Sequence, residues 1–298
     1  MKPIHSILVA TDFSTAGKRA EERAALLAAE HDARLILIHS LPGHALQRLR
    51  ERLTLGYAST EAQLLEHYRS ALQRLAEDLA GRWQIEVTPI LTAGQAHREI
   101  SRAAGKPGVD LVVVGAMGEH PTRDFFLGST AERVVRESPV AVLVVRNEAR
   151  EPYSRVLAAL DLSPHGPAVL ELARRVAPAA HLTLGHAFEV PFEGKLQFAG
   201  ATEEEIARYS QEERQHALAE LHALAGAMDD RPDMLVEHGM ADVVLRRLLG
   251  ETSAELVVVG KHGSSEIIDL LLGSMTKHLL RESGRDVLVV PPALEVKA

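Results

Sequence analysis

The chain has 298 residues, of which 46% are hydrophobic and 25% charged, with a formal net charge of −8 and no cysteine. That length is the scale of two domains, and the missing thiols exclude disulfides and thiolate metal sites and suit a reducing compartment. The acidic balance, carried almost wholly by the second half, argues against a nucleic-acid backbone as partner, because that binding needs clustered cations. No apolar run reaches the roughly 18 residues that a spanning helix needs, so the expectation is a soluble, cytoplasmic protein with no membrane partner.

Taken in order, short β-branched apolar runs alternate with longer segments of helical period. Strands are expected near 5–10, 35–40, 84–91, 109–114 and 140–145, with helices near 15–31, 59–80, 95–104 and 129–138. Strands this continuously apolar belong to a parallel sheet covered on both faces. Ser14 reads as the N-cap of the first helix. Arg48, Arg50 and Arg52, alternating with leucines, read as a solvated, flexible lid. A charged stretch from Asn147 to Pro152 reads as a short linker, giving an α/β chain with domains at 1–148 and 152–294.

The second domain repeats the first. Ile7-Leu-Val-Ala-Thr-Asp12-Phe-Ser14 matches Val156-Leu-Ala-Ala-Leu-Asp161-Leu-Ser163, and Leu111-Val-Val-Val-Gly115 matches Leu256-Val-Val-Val-Gly260. Ser163 with Pro164 repeats the helix-start signal. Leu35–His39 matches Leu182–His186, and Val142–Val145 matches Val287–Val290. Glu203, Glu204 and Glu205 read as the acidic first turn of a helix, where carboxylates favour the dipole.

One glycine pattern recurs with its spacing intact. Gly115-x-x-Gly118 is followed after nine residues by Gly128-Ser129-Thr130, and Gly260-x-x-Gly263 after nine residues by Gly273-Ser274-Met275. Glycines after a strand let the backbone approach a ligand, and the helix beginning at Ser129 offers unpaired N–H groups and a positive dipole end to an anion. The reading is a phosphate clamp in each half. A carboxylate would repel phosphates, so Asp12 and Asp161, at the end of the first strand of each half, suit a ribose or a divalent cation. In a doubly wound sheet with strands one and four adjacent, aspartate and glycine loop face one crevice.

With the Thr-Asp-Phe-Ser opening and the order along the chain, these motifs resemble the universal stress protein family in its tandem form, over nearly the whole chain. The resemblance implies two Rossmann-like, doubly wound domains, each a five-stranded parallel sheet of order 3-2-1-4-5, and ATP, with its Mg²⁺, as ligand. It also implies that domains pair through their last strands, within one chain or in a homodimer, and that the protein serves as a nucleotide-dependent stress-response or signalling switch. By position, Ala10, Thr11 and Asp12 would line the adenosine and Ser40 would meet the adenine. Val114, Gly115 and Gly118 would contact ribose and phosphates, and Gly128, Ser129 and Thr130 would hold the phosphates. The matching set is Leu160, Asp161, Ala187, Val259, Gly260, Gly263, Gly273, Ser274 and Met275.

The loops between the glycines differ. Lys261 and His262 bring a cation and an imidazole to the second clamp, whereas Glu119 follows the first, so the second half is expected to bind nucleotide more tightly. The alternative is an enzyme, a slow ATPase or an adenylyl-transfer relative. Against it, Thr11-Asp12-Phe13-Ser14 stands where a Ser-Gly-Gly-x-Asp-Ser pyrophosphate loop would lie, and no catalytic residue is assigned. The 15 histidines are dispersed, and none is assigned to a dedicated metal site.

Overall fold

The computed structural model describes residues 3–52, 58–117, 127–190, 193–226, 231–262 and 272–292. The chain forms two compact units. Unit 1 contains Met1–Pro152 together with Asp286–Pro291, and unit 2 is built on Tyr153–Arg285.

Unit 1 begins β1 (Ser6–Ala10), α1 (Thr15–His31), β2 (Arg34–Pro42) and α2 (Gly43–Arg52), and continues α3 (Ala58–Trp83), β3 (Val87–Gly94), α4 (Ala96–Ala104), β4 (Leu111–Gly115), α5 (Ser129–Glu137) and β5 (Ala141–Val145). The strands run parallel in the order β3-β2-β1-β4-β5. Ile7, Leu8, Leu111 and Leu143 are wholly buried in the central strands, as expected for a sheet covered on both faces. The expected strands and helices fall within a few residues of the observed ones, and the arginine-bearing stretch after β2, given no secondary structure from the sequence, is helix α2 with Arg48 exposed. Its leucines and arginines alternate over only a few residues, and that short pattern is compatible with a helix turn as well as with a loop.

Ser14 caps α1, its Oγ accepting from Gly17 N at 3.1 Å. The corresponding signal in unit 2 is displaced. The helix there starts at Gly166 with His165 as N-cap, and Ser163 instead closes a turn, its carbonyl accepting from Gly166 N at 2.9 Å. Pro167 stands in that helix's first turn, where its missing N–H costs nothing.

Unit 2 contains β6 (Arg155–Ala159), α6 (Gly166–Val176), β7 (His181–Phe188), α7 (Glu193–Phe198), α8 (Glu203–Ala225), β8 (Asp233–His238), α9 (Ala241–Glu251), β9 (Leu256–Gly260) and α10 (Ser274–Glu282). Its strands are parallel in the order β8-β7-β6-β9, repeating the first four positions of unit 1. The three glutamates form the first turn of α8, closed by a capping box between Thr202 and Glu205. The last strand, β10 (Asp286–Val290), belongs to unit 1, where it runs antiparallel to β5. Asp286 is fully buried there and accepts from the backbone N–H groups of Arg146 at 2.8 Å and Asn147 at 3.0 Å, with Arg23 Nε of α1 at 3.7 Å.

Candidate functional site

Because β1 and β4 are neighbours, their carboxyl ends open together, and a cavity of about 340 Å³ lies there in unit 1. The end of β1 contributes Ala10, Thr11 and Asp12; the end of β2 contributes His39 and Ser40; β4 contributes Val114 and Gly115. The start of α5 closes it with Gly128, Ser129 and Thr130. Every described residue assigned by sequence to the first site therefore borders this cavity. Gly118 and Glu119 lie outside the described residues.

Unit 2 repeats the construction around a cavity of about 410 Å³. Leu160, Asp161, Ala187, Val259 and Gly260 border it from the strand ends, and Gly273, Ser274 and Met275 from the start of α10. His262 lines it as well, whereas Lys261 is buried and is not among the residues that border it. Gly263 lies outside the described residues.

Local hydrogen bonds explain how each chain segment reaches its place. Asp12 Oδ1 accepts from Ser14 N at 3.0 Å and from Ser14 Oγ at 2.5 Å, and Asp161 Oδ1 accepts from Ser163 N at 3.1 Å. Each aspartate thereby sets the turn leaving its strand. The intervening residues, Phe13 and Leu162, take positive φ values of 61° and 57°, a conformation rare for bulky side chains. A β-carbon on Gly17 would lie 2.8 Å from Asp12 Oδ1, so the glycine lets α1 approach the carboxylate closely.

The two parts of each glycine pattern are tied by the backbone. Gly128 N donates to Ala116 O at 2.7 Å, and Gly273 N donates to Lys261 O at 3.0 Å. Gly128 and Gly273 are the N-caps of α5 and α10, and being glycines they supply no side-chain cap. Hydrogen-bond donors at the start of both helices are thus left to an external acceptor, and a phosphate suits that geometry. No group of three or more metal-ligating side chains occurs among the described residues.

Two features at the crevice floor were not assigned from sequence. His39 and His186, buried at the ends of β2 and β7, each place Nδ1 2.8 Å from a carbonyl oxygen, that of Thr11 and that of Leu160. A carbonyl only accepts, so Nδ1 carries the proton in both. The signal was present as two histidines at matching positions of the repeat.

The second feature separates the halves. In unit 1 the Thr11 hydroxyl donates to the buried carboxyl of Glu21 and accepts from Phe13 N at 3.0 Å. Burial pushes the Glu21 carboxyl above its ordinary range, against the lowering effect of the Thr11 hydrogen bond, and the neighbouring Glu22 and Asp12 add to the rise. At the corresponding positions unit 2 has Leu160 and Leu170, both buried. Where unit 1 has a hydrogen-bonded threonine and glutamate, unit 2 has two leucines.

The universal stress protein family model matches residues 3–146 and again residues 152–291. A universal stress protein of Mycolicibacterium smegmatis is 27% identical over 297 residues, 97% of each chain. One of Thermus aquaticus is 32% identical over 144 residues, 47% of this chain and 98% of its own. The crystal structure of a universal stress protein from Archaeoglobus fulgidus superposes with a TM-score of 0.69 over 96% of this chain and 98% of its own; at 18% identity that likeness bears on the fold.

Proposed function

The chain belongs to the universal stress protein family, and from that premise we propose that each of its two crevices binds ATP with its Mg²⁺, occupancy acting as a stress-response or signalling switch. The observation that carries this reading is the coincidence, in each half, of an aspartate at the end of the first strand with an uncapped, glycine-led helix start bordering the same cavity. Gly128–Thr130 and Gly273–Met275 receive the phosphates on backbone N–H groups, while Asp12 and Asp161 accept from the ribose hydroxyls. Ser40 and Ala187 meet the base. ATP supplies the anionic tail that complements the helix starts, and Mg²⁺ arrives on its phosphates.

The second crevice is the tighter site in this reading, since Lys261 and His262 stand at its clamp whereas Glu119 follows the first. Titrating ATP against Gly263→Val and Gly118→Val variants tests the ranking. The second-half change should remove the stronger binding phase, and equal losses, or no loss from Gly263→Val, would reject it. Mass spectrometry of ligands released from the purified protein, followed by a turnover assay, tests the function. Copurified ATP without turnover supports the switch; rapid conversion of ATP supports an enzyme; an empty protein without ATP affinity rejects both.

A further inference from the structure

The first crevice does not end at Ser40. A second open chamber, about 440 Å³ in volume, abuts it and shares Ser40 and Ala96 as wall residues. Its lining comes from the end of β2 and start of α2 (Gly43, His44), the β3–α4 junction (Gln95, His97) and Arg133 of α5. Every ionisable side chain in that lining is of basic type.

Two carboxylates stand nearby, and both are already paired with cationic-type side chains. Glu137 Oε1 lies 3.6 Å from Nε2 of His97 itself, a counter-ion that an incoming anion has to displace, and Glu99, in the first turn of α4 and packed against Gly94, pairs with Arg102 at 2.9 Å. Arg133 is exposed and has no ion-pair partner among the described residues. It follows Ser129 by four positions on α5, so it stands one helical turn from the phosphate clamp on the same face. Gln95, the N-cap of α4, makes no side-chain cap hydrogen bond, leaving the positive end of that helix beside the chamber. Independently of the helix, the Ser40 hydroxyl on the shared wall is sealed from solvent and has no hydrogen-bond partner. A hydroxyl left unpaired in this way is costly.

The second half lacks this set. Ala187 corresponds to Ser40, Met240 to Gln95, Asp242 to His97 and His278 to Arg133. Met240 is largely exposed at 62%, and Asp242 would repel an anion.

We propose that His44, His97 and Arg133 form a second anion subsite joined to the first crevice, so that this half takes a nucleotide with a further phosphate on a different arm from its 5′-phosphates, or a nucleotide together with a separate inorganic phosphate. The inference rests on nucleotide binding in the first crevice. The chamber meets the crevice at Ser40 and Ala96, so a phosphate on an arm other than the 5′ chain enters there while the 5′-phosphates occupy Gly128–Thr130. The shared chemistry is a phosphate dianion against two imidazoles and a guanidinium.

Wild-type protein and the Arg133→Glu and Arg133→Lys variants should be titrated with ATP, with adenosine 3′,5′-bisphosphate, and with inorganic phosphate in the presence of saturating ATP. Arg133 is on the surface, so both variants should fold, and their circular dichroism checks that. Losing one charge-assisted phosphate contact of ~1.5 kcal/mol weakens binding about tenfold. Arg133→Glu should therefore weaken the bisphosphate about tenfold or more and ATP much less, with Arg133→Lys retaining most of the affinity. That result assigns a tethered phosphate. If the bisphosphate is insensitive but phosphate binding to the ATP-loaded protein is lost in Arg133→Glu, a separate anion is assigned. If ATP binds and neither bisphosphate nor phosphate depends on residue 133, or if the bisphosphate and ATP weaken equally, the subsite is rejected while the ATP reading stands. If ATP binds no variant and not the wild type, both fall.

Discussion

His39 donates from Nδ1 to the carbonyl oxygen of Thr11 across 2.8 Å, tying the end of one strand to the residue that precedes the crevice aspartate. His186 does the same to Leu160 at the same distance. Replacing either histidine by leucine keeps the volume near constant but leaves a buried carbonyl unpaired, a cost of about 1–3 kcal/mol. His39→Leu should accelerate hydrogen exchange in β1 and β2 alone, and His186→Leu in β6 and β7 alone. Exchange that rises equally in both units after a single change would show that the bond is not a local tie.

The Thr11–Glu21 pair gives unit 1 a pH-dependent contribution that Leu160 and Leu170 do not give unit 2. The Glu21 carboxyl is held above its ordinary range chiefly by burial, so the folded state binds its proton more tightly than the unfolded state does. Its stabilising contribution is complete below the unfolded value and is lost as pH rises through the folded one. Thr11→Leu with Glu21→Leu, copying Leu160 and Leu170, should remove that loss. The variant should gain about 1 kcal/mol or more at neutral pH and little in acid, as read by denaturant unfolding across the pH range. A gain independent of pH would contradict the assignment to Glu21.

Gly115 and Gly260 hold matching positions with different tolerances. A β-carbon on Gly115 would meet the main-chain oxygen of Ala16 at 2.6 Å, whereas one on Gly260 would meet the oxygen of His262 at 3.1 Å. The first contact forces backbone to move, at about 1–3 kcal/mol. Gly115→Ala should therefore destabilise its unit clearly more than Gly260→Ala does, measured as local exchange rates in β4 and β9. Equal effects would mean that α1 shifts freely to admit the methyl group.

Much of this was legible in the chain. Apolar runs such as Leu111–Val114 have no polar alternation, which marks strands buried on both faces, and the repeat sets the two glycine patterns in register in the sequence itself. Helix α2 is not legible because its short leucine–arginine alternation fits no period over enough residues to fix a helix. Ser163 misled because Ser-Pro opens a turn as readily as a helix, and the next four residues decided which. The Thr11–Glu21 pair is ten residues apart, joining a strand end to the second turn of the next helix; only the packing of α1 on β1 brings them together. The chamber beside Ser40 joins three separate segments, and no spacing rule connects Arg133 to His44.

Titrating ATP into nucleotide-stripped protein by calorimetry measures the two-crevice reading most directly. The predicted result is two ATP per chain in two phases, with Asp161→Ala weakening the tighter phase and Asp12→Ala the weaker one. No binding at millimolar ATP, or a single site unaffected by both substitutions, would contradict it.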